Sequence, residues 1–123
     1  KMAFIKSTST LSADAVTVPN ITGGDNGKVV RLSGSNTVVN AANTDTSTQL
    51  QAVLIKLGGE YYAAGVVSGF SSLTPGSPYY LGTTGDLVAS PPTPTTLTRA
   101  LFIGFALNTT DIVFRPGIPI SGT

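Results

Sequence analysis

The chain of 123 residues contains no cysteine and no histidine. The absence of cysteine excludes disulfides, thiol nucleophiles and thiolate metal sites. The absence of histidine also excludes the Ser-His-Asp and Cys-His arrangements of hydrolases and the common zinc sites. The chain must therefore be held together by packing, by hydrogen bonds or by association between copies.

Acidic residues are scarce and suggest no acid–base pair. Asp25, Asp86 and Asp111 lie in turn sequences, where Asp is favoured because its side chain bonds to the nearby backbone. Glu60 is the acid placed to enter a strand, and it has no evident partner for the two-carboxylate chemistry of a glycosidase. The triplet Asp25-Asn26-Gly27 lacks the alternating carboxylates and closing Glu of a calcium loop, which favours a tight turn. We therefore predict a protein that is not an enzyme and binds no cofactor or metal.

Charge indicates no nucleic-acid partner. Seven basic and six acidic residues give a net charge of +1 and are scattered singly, so there is no basic stripe. No apolar run reaches the roughly 18 residues of a membrane-spanning helix.

Composition predicts an all-β fold. The chain has one Glu and one Met, whereas Ser and Thr make up roughly a quarter of it and 14 Gly and 8 Pro interrupt it. These proportions are typical of short strands joined by tight turns. We predict a single-domain antiparallel sandwich, jelly-roll-like or barrel-like, over residues 15–123. The predicted strands are Ala15–Val18, Lys28–Leu32, Thr37–Ala41, Gln49–Lys56, Tyr61–Val67 (with Gly65 as a bulge), Tyr79–Leu81, Leu87–Ala89, Leu101–Leu107 and Ile112–Phe114.

The segment from Leu73 to Ala89 predicts a rigid hairpin. A Pro-Gly turn leads into a short strand with two tyrosines, and a Gly-Thr-Thr-Gly-Asp turn leads into a second short strand. The prolines at 91, 92 and 94 then prevent further pairing, because proline has no N–H to donate.

The run from Leu101 to Leu107 is apolar at nearly every position. A strand with one face in water should alternate, so we expect this strand to be covered on both sides. One interpretation is a central core strand with Gly104 and Ala106 on a crowded face. The other places one side of the strand against a neighbouring subunit.

Candidate recognition residues are aromatic or basic. In each of the pairs Tyr61-Tyr62 and Tyr79-Tyr80, adjacent strand residues point to opposite faces, so one ring can pack while the other meets a sugar, a protein or a subunit. Arg99 and Arg115 could bind a carboxylate or phosphate. For Arg115, which follows the last predicted strand, a solvent or interface salt bridge is the favoured role.

The order of turns and strands resembles the distal domain at the C-terminal ends of tailed-bacteriophage tail fibres and tail needles. A similar pattern occurs in small phage capsid-decoration proteins. The resemblance covers most of residues 26–120 and is a pattern of turns rather than a catalytic motif. It is carried by Asn26-Gly27-Lys28-Val29-Val30, the segment from Val39 to Asp45, Leu73-Thr74-Pro75-Gly76, Tyr80-Leu81-Gly82, Gly85-Asp86-Leu87, Pro91-Pro92 and the segment from Ile103 to Phe114.

The resemblance implies a homotrimeric virion component, a knob that contacts the bacterial cell surface or envelope. On this interpretation, residues 1–14 continue from an upstream shaft or coiled coil, which also accounts for a sequence that starts with Lys1 before Met2. A trimer would keep edge strands covered by neighbours. Two alternatives stay open at this point: a capsid decoration protein, and a carbohydrate-binding module.

Overall fold

Residues 15–122 are described in a computed structural model, and they form twelve β-strands with no α-helix. The predicted role of residues 1–14 lies outside the described residues. The strands are β1 (Val16–Thr17), β2 (Thr22–Gly23), β3 (Lys28–Gly34), β4 (Thr37–Asn40), β5 (Val53–Leu57), β6 (Glu60–Ser68), β7 (Pro78–Leu81), β8 (Leu87–Val88), β9 (Arg99–Ala100), β10 (Phe102–Ala106), β11 (Asp111–Phe114) and β12 (Ile120–Ser121).

Most strands belong to one large sheet. Its order is β2-β4-β3-β5-β6-β11-β10-β7-β8, and β1 also pairs with β6. All neighbours are antiparallel except β2 and β4, which are parallel, and β9 and β12 form a separate two-stranded ribbon. The all-β prediction is confirmed, and the large, mostly antiparallel sheet is consistent with a β-sandwich.

Strand β6 belongs to both halves of this sheet. Its first residues, Glu60–Tyr62, pair with β5, whereas Gly65–Ser68 pair with β11. Gly65, the predicted bulge, is the first residue of the second stretch and has φ of +95°, a conformation that a side chain would disfavour. The irregular pairing of β1 opposite Tyr62 and Ala64 falls at the same place. We call β2, β4, β3 and β5 the first half-sheet, and β11, β10, β7 and β8 the second.

The two half-sheets share one core. Val29 and Ile55 of the first half-sheet and Leu81, Ile103 and Ile112 of the second are each at most 1% exposed and belong to the same apolar cluster. Burial of such side chains contributes about 1.5–3 kcal/mol each relative to exposure. The core therefore joins both half-sheets into one packing unit.

A second, smaller cluster covers the other face of the first half-sheet. Val30, the neighbour of core residue Val29, points to this opposite face because side chains alternate along a strand. There it packs with Val38 and Tyr61, and Ile21 from the segment before β2 lies over them. The outer face of the first half-sheet is thus partly covered by its own chain, while Leu32, opposite Val38, stays 43% exposed.

The predicted hairpin is confirmed, and its turn closes the fold. β7 and β8 pair antiparallel, with Tyr80 opposite Val88. The Val29 N–H then donates to the Gly85 carbonyl at 2.8 Å, and the Asn43 N–H donates to the Gly82 carbonyl at 3.1 Å. The far end of the second half-sheet is therefore bonded back to β3 in the first.

The prediction of one strand over Gln49–Lys56 is wrong in its first half. Residues Gln49–Gln51 form a turn of 3-10 helix, and β5 begins at Val53. The reason is local: the Thr46 N–H donates to Gln49 Oε1 at 2.9 Å, and the Gln49 N–H donates to Thr46 Oγ1 at 3.2 Å. This reciprocal pair is the capping arrangement that Thr-x-x-Gln sequences favour. The turn places Leu50 in the core.

The docked turn makes Gly85 a sensitive position, and Gly76 offers a matched control. Both have nearly the same positive φ, +79° and +81°. A Cβ on Gly85 would lie 2.7 Å from the Val29 carbonyl oxygen, whereas a Cβ on Gly76 would meet nothing within 4 Å. We expect Gly76→Ala to cost about 1–2 kcal/mol of unfolding free energy from backbone strain. Gly85→Ala should cost about 1–3 kcal/mol more, because the turn must move off β3.

Urea denaturation of the two variants measures this difference directly. Equal losses of unfolding free energy would show that docking of the turn on β3 adds nothing to stability.

Candidate functional site

The outer face of the second half-sheet is apolar and aromatic. Residues directly opposite each other on neighbouring strands share a face, and such pairs connect β6, β11, β10, β7 and β8, with one irregularity between β10 and β7. The side chains on this surface are half-buried, apart from Pro78, which is exposed. We name it the aromatic face; its members are Val66, Pro78, Tyr80, Val88, Phe102, Phe105 and Val113.

The opposite face of the same strands is the main core. Along β11, Ile112 and Phe114 are buried, so Val113 between them points outward. Along β10, Ile103 is in the core and Gly104 is buried against the backbone of β11, where a side chain would collide with the Val113 carbonyl; the pairing with β7 is irregular between Phe102 and Gly104. This irregularity turns both Phe102 and Phe105 outward, although residues three apart on a regular strand lie on opposite faces.

The run Leu101–Leu107 is thus a core strand on one side only. Its inward residues Leu101, Ile103 and Ala106 are at most 1% exposed. Its outward residues Phe102 and Phe105 form part of the aromatic face, and Leu107 is 54% exposed. The core interpretation accounts for the inward side. The subunit interpretation concerns the outward side and stays a prediction.

The aromatic rings are held in fixed positions. Tyr80 and Phe102 pack edge to face, with ring centres 5.8 Å apart and planes at 75°. The guanidinium carbon of Arg115 lies 5.8 Å from the centre of the Phe105 ring. Such contacts contribute about 0.5–1.5 kcal/mol each beyond area burial. The face is therefore a preorganised surface.

Two opposite charges lie at the two ends of this face on one strand. Asp111, Val113 and Arg115 alternate with the buried Ile112 and Phe114, so all three point outward from β11. Asp111 accepts hydrogen bonds from the Asn108 amide and the Thr110 hydroxyl. These bonds, with a further one from Ser68, lower the pKa of Asp111 from its usual 3.8. The carboxylate is thus ionised and oriented at neutral pH.

The four tyrosines predicted as recognition residues divide into two groups. Tyr61 and Tyr79 are each 7% exposed. The Tyr61 hydroxyl donates to the Gly23 carbonyl at 2.8 Å, and the Tyr79 hydroxyl accepts from the Thr74 N–H at 2.9 Å. Both are therefore buried residues that fix local backbone, as expected for one ring of each pair.

Tyr62 and Tyr80 are half-buried, and they differ in what they contact. Tyr62 packs against the main core, so both members of the pair Tyr61-Tyr62 are occupied by packing. In the pair Tyr79-Tyr80, Tyr79 packs in the core and Tyr80 lies on the aromatic face. Of the five candidate residues, Tyr80 and Arg115 are the two that the fold brings together on one surface.

Arg99 lies apart from this surface, on the small ribbon of β9 and β12. Its backbone N–H donates to the Asn43 carbonyl at 2.7 Å. Its Nε is buried and has no hydrogen-bond partner among residues 15–122. One half-buried guanidinium without a second converging group does not make an anion site.

An open apolar depression of about 210 Å³ lies on the first half-sheet. Apart from Gln51, its lining side chains are apolar, so it offers no acid or base. The residues that line it are Val18, Ile21, Leu32, Gln51, Ala52, Val53 and Leu54.

The described part of the chain shows no sign of a metal site or a membrane-spanning helix. No cluster of three or more Asp, Glu, His or Cys residues that could hold a metal ion occurs between residues 15 and 122. In the same range, no helix has the length and apolar character needed to cross a membrane.

Comparison of the chain with protein-family models, with curated proteins and with solved structures finds no match.

Sequence reasoning missed Phe102, Phe105, Val113 and Asp111 as members of one surface. The apolar run through residues 101–107 was a signal for part of it. The outward placement of both phenylalanines was not readable, because it depends on the pairing irregularity between β10 and β7.

The hairpin turn carries one of the two ion pairs seen among the described residues, Lys28–Asp86; the other is Arg31–Asp45. The hydrogen bond from Lys28 is the main cause that lowers the pKa of Asp86 from 3.8, and a bond from the Thr84 hydroxyl adds to it, while burial opposes them. The Lys28 and Asp86 side chains are 31% and 43% exposed, so solvent screens the pair. The pair links the turn to β3, and its contribution to the unfolding free energy is modest and decreases at acid pH.

We predict that Asp86→Asn lowers the unfolding free energy at pH 7 by no more than about 1 kcal/mol, since the pair is partly exposed. The folded-state pKa of Asp86 lies below the unfolded value, so its stabilisation is present above that value and is lost as the pH falls. Urea titrations from pH 7 to pH 3 should show the wild type and the variant converging at the acid end.

The control is Lys28→Gln, which removes the main cause of the pKa shift. The double variant should lose less than the sum of the two single losses. A wild-type advantage that persists unchanged below pH 3.8, or strictly additive losses, would contradict a role for this pair.

Proposed function

We propose that this chain is a bacteriophage virion structural protein, the trimeric distal knob of a tail fibre or tail needle. It acts by contact with the host cell surface or envelope during attachment or genome delivery. Its partners are other copies of itself, an upstream shaft of the same protein and a bacterial surface component. It makes and breaks no bond.

The aromatic face is the observation that carries this proposal. A small all-β module that keeps Phe102, Phe105 and Tyr80 half-exposed on an ordered sheet presents the apolar surface that protein association buries. A knob built from several copies of one chain requires such a surface. An isolated domain would be expected to alternate to polar residues there.

The residues that carry the phage resemblance are spread over both half-sheets. The segment from Leu73 to Leu87 contains β7 and the first residue of β8, and the segment from Ile103 to Phe114 contains most of β10 and all of β11. Residues 26–30 and 39–45 lie in and around β3 and β4 of the first half-sheet. The resemblance is thus a pattern of turns that runs through the whole sheet.

The engaged carboxylates support action by contact rather than catalysis. Asp45 pairs with Arg31, Asp86 pairs with Lys28, and Asp111 is bonded within its own turn. Asp25 bonds to Asn40, and Glu60 is an exposed residue at the start of β6. The described acids are thus distributed singly, each with a local structural partner or solvent.

A capsid decoration protein is the alternative that the same observation favours, because such a protein also docks through a surface. A carbohydrate-binding module, the other alternative, would use the rings of Tyr80, Phe102 and Phe105. Val66, Pro78, Val88 and Val113 beside these rings offer no side-chain hydrogen bonds to sugar hydroxyls, whereas the Tyr80 hydroxyl and Arg115, which lies next to Phe105, do.

We expect sedimentation equilibrium of the purified chain at micromolar concentration to show a species of three times the chain mass. A trimeric knob buries its apolar surface only when assembled, so the monomer should appear only on dilution. A stable monomer at micromolar concentration would rule out the trimer.

Binding assays then separate the three functions. For a knob, the labelled chain should adsorb saturably to intact cells of at least one strain in a bacterial panel. Adsorption to purified phage capsids with none to cells would establish decoration instead. A defined hit on a glycan array, lost in Tyr80→Ala, would establish sugar binding.

A further inference from the structure

We propose that the aromatic face is the surface through which copies of this chain contact one another, with Asp111 of one copy paired with Arg115 of the next. The number of copies rests on the proposed function. The location of the contact does not.

The two half-sheets are covered unequally. Part of the outer face of the first half-sheet is covered by its own chain, where Ile21 packs against the cluster of Val30, Val38 and Tyr61, while Leu32 on the same face is 43% exposed. No segment between residues 15 and 122 supplies a comparable apolar cluster over the outer face of the second half-sheet. A second molecule would give this face the cover that the first half-sheet has within one chain.

The face also has a pattern of charge. Asp111, the first residue of β11, and Arg115, which directly follows β11, project from the same side of this strand. They are four residues apart, which corresponds to about 13 Å along a strand. The positions on the aromatic face between and beside them carry no charge.

The two charges of one copy match those of an identical copy. When identical copies are arranged around a symmetry axis with their aromatic faces inward, the Asp111 end of one face meets the Arg115 end of the next. A ring of three closes in this way, and so does an antiparallel pair related by a two-fold axis. A partner of a different sequence would need its own matching charges, whereas a second copy already carries them.

Neither charge is satisfied by an ion pair within the described chain. The two ion pairs there are Lys28–Asp86 and Arg31–Asp45. Arg115 is exposed, and its guanidinium carbon lies 5.8 Å from the centre of the Phe105 ring. An exposed guanidinium has five N–H donors that can bind a carboxylate from another copy.

The size of the face predicts a contact of moderate strength. Five strands about 4.8 Å apart and about 13 Å of strand length give a patch of a few hundred Å². A standard interface buries about 800 Å² per partner. We therefore expect association that depends on concentration and can be reversed by dilution.

A single introduced thiol tests the location of the contact, since the chain has no cysteine of its own. Val113→Cys places the thiol within the face, between Val66 of β6 and Phe105 of β10. Its reaction with a maleimide should slow as the protein concentration rises through the association midpoint measured by sedimentation, in proportion to the associated fraction. Val39→Cys is the matched control, because Val39 is a 40% exposed valine on β4, outside the aromatic face. Its labelling rate should not change with concentration.

The outcomes separate this inference from the proposed function. Association with unchanged labelling of Val113→Cys overturns the contact surface and leaves the trimer standing. Protection of Val113→Cys in a dimer supports the surface and overturns the trimer. A monomer at all concentrations overturns both.

Charge reversal tests the Asp111–Arg115 pair. Arg115→Asp should weaken association by about tenfold or more, because close interfacial charge pairs contribute upward of about 1.5 kcal/mol. The double variant Asp111→Arg with Arg115→Asp should recover most of the loss. Glu60→Arg, a charge reversal of equal size and opposite sign at an exposed position on the first part of β6, should leave association unchanged. Circular dichroism and thermal unfolding at dilute concentration verify that each variant is folded. A double variant as weak as or weaker than Arg115→Asp would overturn the pairing.

Discussion

The structure depends on strand β6, which pairs with both half-sheets. Its first residues pair with β5 and its last residues, from Gly65 onward, pair with β11. The positive φ of Gly65 lets the strand pass from one half-sheet to the other. Because of this shared strand, Val29 and Ile55 meet Ile103 and Ile112 in one core. The turn over residues 82–86 is bonded to β3 and joins the two half-sheets a second time, at the far end of the second half-sheet.

The asymmetry between the half-sheets follows from this arrangement and gives the molecule its surface chemistry. The chain preceding β3 lies over the first half-sheet and buries Val30, Val38 and Tyr61. The second half-sheet has the core on one side and the aromatic face on the other. The same strand β11 thus carries buried Ile112 and Phe114 inward and Asp111, Val113 and Arg115 outward. A surface of this kind suits association between copies, which is why we propose it as the contact surface.

How far the sequence could predict this differs from element to element. The hairpin of β7 and β8 was readable, because turn residues and prolines act locally. The 3-10 turn at Gln49–Gln51 was also encoded locally, by the reciprocal bonds of Thr46 and Gln49, but the apolar residues around it favoured a strand. Alternation along a strand shows that the two tyrosines of each pair, Tyr61-Tyr62 and Tyr79-Tyr80, point to opposite faces, but it does not show which of the two is buried. Which member of each pair is covered depends on what packs against each face, and that is a property of distant segments.

The sequence by itself determined the all-β class, the positions of most turns, and the exclusion of thiol and histidine chemistry, because composition and local turn preferences act over a few residues. Only the tertiary structure decided that Phe102 and Phe105 share an outward face, that Asp111 and Arg115 mark its two ends, and that Gly85 lies against Val29. The physical reason is that strand register and half-sheet covering arise from long-range pairing. A one-residue irregularity in that pairing reverses the face on which a side chain lies.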